Sequence, residues 1–357
     1  MTELLGSTWL NYLVAIVLLI ISILVFIKVH IYSHWKRRGI IQANASPPWG
    51  SIKNFVLGRT SIAEVFAEIY KQGEGHPIIG FYSFLSPALV IREPDYMKRI
   101  LVRDYDHFSD RGIYSNRKID PLSYHLFSTD GPHHKEMRYM LSTDTRKPLS
   151  LDEIAAQTFL FILGGHETSS AAICFLLYEM ALNPDIQARL HEEIDTMDGN
   201  INYDNIKEME YLNMVFNETL RKYPAAPTLI RLCVKDYMLP NGFLIKKGTQ
   251  VMVPVYGLHW DAKYFPQPDK FDPERFSPKA PTHQIQPFTF LPFGEGPRYC
   301  IGKRFGVASV KLGVTSILSK FRIELAENTK IPMKIESKTF ITNPYKGLTL
   351  KLVARNT

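Results

Sequence analysis

From Leu10 to Ile27 the chain reads LNYLVAIVLLIISILVFI, with no charged residue. A helix of roughly 20 such residues spans the apolar core of a bilayer. Lys28, Lys36, Arg37 and Arg38 follow the run, whereas only Glu3 is charged before it. A basic flank stays in the cytosol, so the pattern predicts an anchor over 1–33 with the rest of the chain on the cytosolic side. A cleaved signal peptide would carry its basic residues before a shorter apolar core; here they come after. Ala45-Ser46-Pro47-Pro48-Trp49-Gly50 reads as a stiff, turn-rich hinge. It makes 34–50 a linker and 51–357 the folded domain.

Within that domain the periodicity is mostly helical. Ser61 with Glu64, and Ser150 with Glu153, have the spacing of capping boxes that open helices. The second helix continues through Ile154, Ala155, Phe159, Ile162 and Leu163 to Leu182, where Asn183-Pro184 ends it and starts the next. Its middle, Gly-Gly-His-Glu-Thr, is too polar to cross lipid. The expectation is therefore a long helix through the core of the domain. A further helix covers about 206–222, and a final amphipathic one 302–321. Ile79–Phe84 and Ala88–Ile91 predict strands joined by a turn at Ser86-Pro87. Residues 231–255 predict short strands, with turns at Asn241-Gly242 and Lys247-Gly248. The fold class is mainly α with small β-sheets, and no internal repeat is evident.

Composition narrows the functional classes. An apolar content of 45% in 357 residues supports a sizeable core and argues against disorder. A net charge of +7 favours an acidic partner or an anionic membrane surface. No basic motif with interleaved aromatics marks a nucleic-acid binder. The three cysteines, Cys174, Cys233 and Cys300, include no CxxC pair, which excludes a disulfide framework or a zinc ribbon. Cys174 and Cys233 sit in apolar runs and read as buried apolar residues.

Cys300 differs. It lies in Phe293-Gly294-Glu295-Gly296-Pro297-Arg298-Tyr299-Cys300-Ile301-Gly302, just before a helix. Two glycines let a loop turn tightly and approach a flat ligand closely. A thiolate at a helix N-terminus is favoured by the dipole and free N–H groups, and Arg298 adds positive charge. A second motif, Gly164-Gly165-His166-Glu167-Thr168, interrupts the long helix. Each glycine there costs about 1 kcal/mol relative to alanine. The pair either makes a helix-packing notch or lets a small ligand reach the backbone beside a carboxylate and a hydroxyl. A third, Glu218-Thr219-Leu220-Arg221, places opposite charges on one helix face.

Together these segments resemble the cytochrome P450 superfamily, nearest its microsomal, insect-type xenobiotic class. The resemblance implies the P450 fold and haem b (iron protoporphyrin IX), with Cys300 as axial ligand to the iron and Phe293 packed beside it. It implies that Gly164 and Gly165 border the oxygen-binding segment, where Glu167 and Thr168 relay protons. His166 receives no ligand role. Glu218 and Arg221 would lock to Arg275, in Pro273-Glu274-Arg275-Phe276, as a structural set. Arg298, Arg231, Arg138 and Arg111 would hold the haem propionates. The implied activity is insertion of one oxygen atom from O2 into a lipophilic small molecule. NADPH-derived electrons would arrive through NADPH-cytochrome P450 reductase, with cytochrome b5 as a second donor. The implied place is the endoplasmic reticulum membrane. Lys303, Arg304 and Lys311 would form a basic face for the acidic reductase.

Two features depart from the family. Only a short link joins Ser142 to Ser150 where the family places several helices, and His134 stands where it usually has a tryptophan. Loss of those helices should bare apolar faces of the long helix, at about 25 cal/mol per Å² of burial lost. It leaves open a non-enzymatic alternative: an anchored, truncated relative with weak or no haem binding.

Overall fold

The structure, a computed structural model, describes residues 2–143, 148–279 and 285–355. Its helices of six or more residues are α1 (Thr2–Phe26), α2 (Ile62–Gln72), α3 (Gly131–Ser142), α4 (Leu151–Leu182), α5 (Pro184–Asp195), α6 (Tyr203–Glu208), α7 (Glu210–Lys222) and α8 (Lys303–Leu318). The strands are β1 (Ile78–Ser83), β2 (Ser86–Ile91), β3 (Leu229–Leu232), β4 (Tyr237–Met238), β5 (Leu244–Ile245), β6 (Gln250–Val253), β7 (Phe321–Leu325) and β8 (Leu350–Ala354). The join between Ser142 and Ser150 includes 144–147, which lie outside the described residues.

α1 stands clear of the body, with its large apolar side chains from Trp9 to Phe26 exposed except half-buried Leu24. A helix apolar on every face suits lipid. The 34–50 stretch, read as a hinge, is stitched to the domain. Trp35 is fully buried, and its indole N–H donates to the Phe81 carbonyl (3.1 Å). A Cβ on Gly80 would sit 2.3 Å from that ring. Ala43 N–H donates to Gly80 O, and Gly80 N–H to Ile41 O, each at 2.8 Å.

The main sheet has the order β1-β2-β6-β3. β1/β2 and β3/β6 are antiparallel, and β2/β6 is parallel. α2 begins with the Ser61–Glu64 capping box and packs Ile62, Val65, Phe66 and Ile69 against Ile79, Phe81, Ala88 and Val90 of the sheet. Two-stranded pairs β4/β5 and β7/β8 complete the strands. A second core joins α4, α7 and α8 through Leu176, Met180, Leu212, Val215, Val310 and Val314.

Several boundaries differ from the sequence reading. The hairpin turn lies at Phe84-Leu85, and Ser86 and Pro87 belong to β2. Pro87 is tolerated because the pairing to β6 spans only Ala88–Val90, so its missing N–H breaks no bond on that side. The 206–222 helix breaks at Met209, whose backbone is extended. The last helix stops at Leu318, and Phe321 starts β7, paired with β8. Val255 begins a helical turn, Val255–His259. Cys233 is buried, whereas Cys174 is half-buried.

α4 opens on the expected Ser150–Glu153 capping box, yet only its second half lies in the core. Ala171, Ala172, Phe175, Leu176, Tyr178 and Met180 are buried, while Leu151, Ile154, Phe159, Phe161, Ile162 and Leu163 are exposed. The first half is held at Gln157, whose side-chain oxygen accepts from Leu126 N–H (2.9 Å).

Candidate functional site

The loop carrying Cys300 is shaped by its glycines. Gly294 and Gly296 have φ of +68° and +75°, a region open to glycine and strained for other residues. A Cβ on Gly296 would fall 1.8 Å from the Leu101 carbonyl oxygen, so no other residue fits without moving that backbone. Cys300 N–H donates to Phe293 O (2.9 Å), which closes the loop. Phe293 packs on the α4/α7/α8 core, and Lys303 Nζ lies 5.6 Å from its ring centre. Cys300 is exposed as a residue, but the protein around its sulfur pushes the thiol up. The Gly302 N–H and the charges of Arg138, Arg111 and Lys303 offset part of that shift. The sequence reading expected the helix N-terminus to favour a thiolate. Desolvation outweighs it here; a metal cation held by the sulfur would supply what deprotonation needs.

Beside this loop is a group of cations. Arg298, buried, donates to the carbonyls of Ser109 (2.8 Å), Leu126 (3.4 Å) and Thr129 (2.6 Å). Arg111 donates to Phe127 O (2.7 Å) and Arg298 O (3.3 Å). Arg138 donates to Tyr299 O (2.8 Å) and stacks 4.1 Å from the Tyr299 ring centre. Arg231 is buried, and its Nε has no hydrogen-bond partner among the described residues. Burial and then Arg298 bring Arg231 down to about 10. Burial, then Arg231 and Arg298, hold Arg111 well below its ordinary value. Buried His134 is lowered to about 3 by burial and then by Arg298, Arg111, Arg138 and Arg231, and its Nδ1 has no partner among the described residues. Among the described ion pairs, none gives these four arginines a carboxylate. Buried charges that repel one another call for a counter-anion. The two propionates of a haem fit that need: the orphaned Arg231 Nε–H is a donor left to meet them, and His134 Nδ1 becomes a second in the Nδ1–H tautomer.

On α4, Thr168 Oγ1 donates to Gly164 O (2.6 Å), and the Glu167 carboxylate accepts from Asn343 Nδ2 (2.7 Å). A Cβ at Gly164 or Gly165 would meet nothing within 4 Å, so among the described residues no packing notch exists there. That stretch of helix backbone is open.

Glu218, Arg221 and Arg275 meet in the interior. Arg221 grips Glu218 with two N–H donors at 2.8 Å, and Arg275 Nε lies 3.5 Å from the same carboxylate. The Asp272 N–H also donates to it (3.0 Å). Burial raises the Glu218 carboxyl above its ordinary value against the pull of Arg221. The sequence reading missed His259. Arg221 donates to His259 O (3.0 Å), His259 Nδ1–H donates back to Arg221 O (3.1 Å), and His259 Nε2 accepts from Leu291 N–H (2.9 Å). This buried ring links the Arg221 cluster to the strand of chain entering the Cys300 loop. No local sequence signal announces it, because its partners are 38 and 32 residues away.

Lys311 requires correction as a docking residue. It is buried and donates to Asn213 Oδ1, whereas Lys303 and Arg304 are exposed. A recess of about 680 Å³ lined by Tyr70, Lys71, Arg92, Trp260 and Lys263 contains none of the site residues.

A cysteine sulfur near a cluster of arginines that have no carboxylate partner among the described residues suits the donor set of a haem-thiolate protein. Residues 139–351 match the cytochrome P450 family model, and the chain belongs to that family, whose members bind haem b and act as monooxygenases. It is 26% identical over 506 positions to the probable cytochrome P450 6a14 of Drosophila melanogaster, covering 96% of this chain and 99% of that one. It is 27% identical over 498 positions to cytochrome P450 6j1 of Blattella germanica, covering 98% and 99%. Against cytochrome P450 3A31 of Mesocricetus auratus it is 46% identical over 218 positions, covering 60% and 43%. Alignments about 500 positions long against a chain of 357 residues leave a large block of the insect relatives without a counterpart.

Proposed function

We propose that this chain is a membrane-anchored haem-thiolate monooxygenase. It would insert one atom of O2 into lipophilic small molecules, with NADPH-derived electrons delivered by a membrane flavoprotein reductase and cytochrome b5. The observation that carries the reading is Cys300, its thiol desolvated by the surrounding protein, near four arginines that no carboxylate pairs among the described ion pairs. When bound, haem supplies the iron at which dioxygen is activated. The chain's own residues do the rest. Cys300 would hold the iron, Phe293 would pack beside it, and Arg111, Arg138, Arg231 and Arg298 would bind the propionates. Gly164 and Gly165 leave space against α4. Glu167 and Thr168 would move protons there. Glu218, Arg221 and Arg275 would fix the loop that presents the sulfur. Residues 1–33 would anchor the chain in the endoplasmic reticulum with the domain in the cytosol, and Lys303 and Arg304 would meet the reductase.

Hemin titration followed by reduction under carbon monoxide tests this. The expected result is the strongly red-shifted Soret band of thiolate ligation, abolished in Cys300→Ala. A band that survives in Cys300→Ala overturns the ligand assignment. The bare first half of α4 favours a second reading, an anchored, truncated relative with weak or no haem binding and no catalytic activity. A hemin titration that produces no bound-haem Soret band establishes that one instead.

A further inference from the structure

Glu167 is the carboxylate of the proposed proton relay, and it is not free. A C-terminal segment reaches it across the fold. Met333 N–H donates to the Tyr178 hydroxyl (3.1 Å), and that hydroxyl lies 3.4 Å from the Lys330 carbonyl it donates to. Met333 packs on Ala171, Phe175 and Tyr223. Further on, buried Thr342 is fixed twice, its hydroxyl donating to Pro224 O (2.6 Å) and its N–H to Ala225 O (3.0 Å). The Asn343 carbonyl accepts from Glu336 N–H (2.8 Å). The segment therefore runs alongside α4 from Tyr178 back to Glu167, about 16 Å at 1.5 Å per residue. Asn343 is its last contact, donating through Nδ2 to Glu167 Oε1 at 2.7 Å. A carboxylate only accepts, so the amide must turn its nitrogen toward Glu167.

We propose that Asn343 is a positioning residue that fixes the orientation of the Glu167 carboxylate relative to the open backbone at Gly164 and Gly165. Its support is what makes it effective. Functional groups hold their geometry when a second layer of bonds locks them, and here Thr342 ties the donor to the residues that follow α7, the helix of Glu218 and Arg221. Glu167 sits where α4 leaves the packed core. Without Asn343 its carboxylate would swing among rotamers. The inference rests on the proton-relay reading for its consequence, but the hold itself is separable from it.

The test uses the full chain and three variants, Asn343→Ala, Asn343→Asp and Glu167→Gln. Hydrogen–deuterium exchange of peptides covering 164–168 and 335–345 reads the hold without haem. Hydrogen peroxide released per NADPH oxidised, with reductase and 7-ethoxycoumarin as probe, reads the relay. Asn343→Ala should speed exchange in both peptides and raise peroxide release severalfold, as expected when a reacting group loses its alignment. Asn343→Asp, which sets one carboxylate against another, should do more than Ala. The Glu167→Gln/Asn343→Ala pair should be no worse than Glu167→Gln alone. Unchanged exchange in both Asn343 variants, or additive effects in the pair, would overturn the inference. Unchanged peroxide release in Glu167→Gln sinks the relay reading instead, and the exchange result then decides the hold alone.

Discussion

The two halves of α4 are built from similar residues and live in different surroundings. Phe175, Leu176 and Met180 in the second half are fully buried; Phe159, Ile162 and Leu163 in the first are 40–63% exposed. Helix propensity and capping do not separate them, since one unbroken helix carries both. What separates them is tertiary company: α7, α8 and the 330–343 segment cover the second half, while Gln157 and its neighbour Ala156 are the buried points on the first. Gly164–Thr168 sits at the frontier. The proposed reaction residues thus stand between a rigid support and a bare surface, and the support side must hold their geometry.

The largest expected effect breaks the covered side. Leu176→Ala should cost about 2–5 kcal/mol, the range for removing a buried leucine, out of a total stability of about 5–15 kcal/mol. Urea unfolding reads it directly, and a cost near zero would mean the second half is no better packed than the first. A smaller effect comes from pH. Burial and then the Arg221 charge lower His259 from 6.5 to about 3, and its neutral Nε2 accepts from Leu291. Between those values the unfolded chain binds the extra proton, so the stabilisation is complete above pH 6.5 and lost as pH falls toward 3. The slope of stability against pH should be shallower in His259→Asn by up to about 1.4 kcal/mol per pH unit. Equal slopes between pH 4 and 6 would remove His259 from the support.

Much of this support was not legible in the sequence, and the reasons are physical. The Cys300 loop was readable because its constraint is local: the positive φ at Gly294 and Gly296 and the following helix lie within ten residues. Both capping boxes were readable for the same reason. His259 and Asn343 escaped because their partners lie 38 and 176 residues away. Lys311 looked like surface charge, yet its helix turns it toward Asn213 and Phe216. The Cys300 thiol was expected to shift down from helix and charge alone, because desolvation is invisible in a linear pattern. Phe321, the first residue of β7, was read as the end of the last helix because it continues the apolar spacing of α8; its pairing with Ala354 of β8, near the chain's C-terminus, decides otherwise.

The smallest effect on stability belongs to the bare side, and it is the sharpest test of the contrast. Ile162 is 63% exposed and Leu163 50%. Replacing either by serine removes little burial, so each change should alter unfolding free energy by no more than about 0.5 kcal/mol, as surface substitutions do. Clustered apolar side chains left in water still attract other apolar surfaces. Ile162→Ser/Leu163→Ser should therefore lower the binding of a hydrophobic fluorescent dye and raise the concentration at which the domain aggregates, with urea stability almost unchanged. If the pair instead destabilises by as much as Leu176→Ala, the first half has partners in solution, and the asymmetry drawn along α4 is wrong. If only dye binding falls, the first half is bare in solution, and the asymmetry along α4 holds.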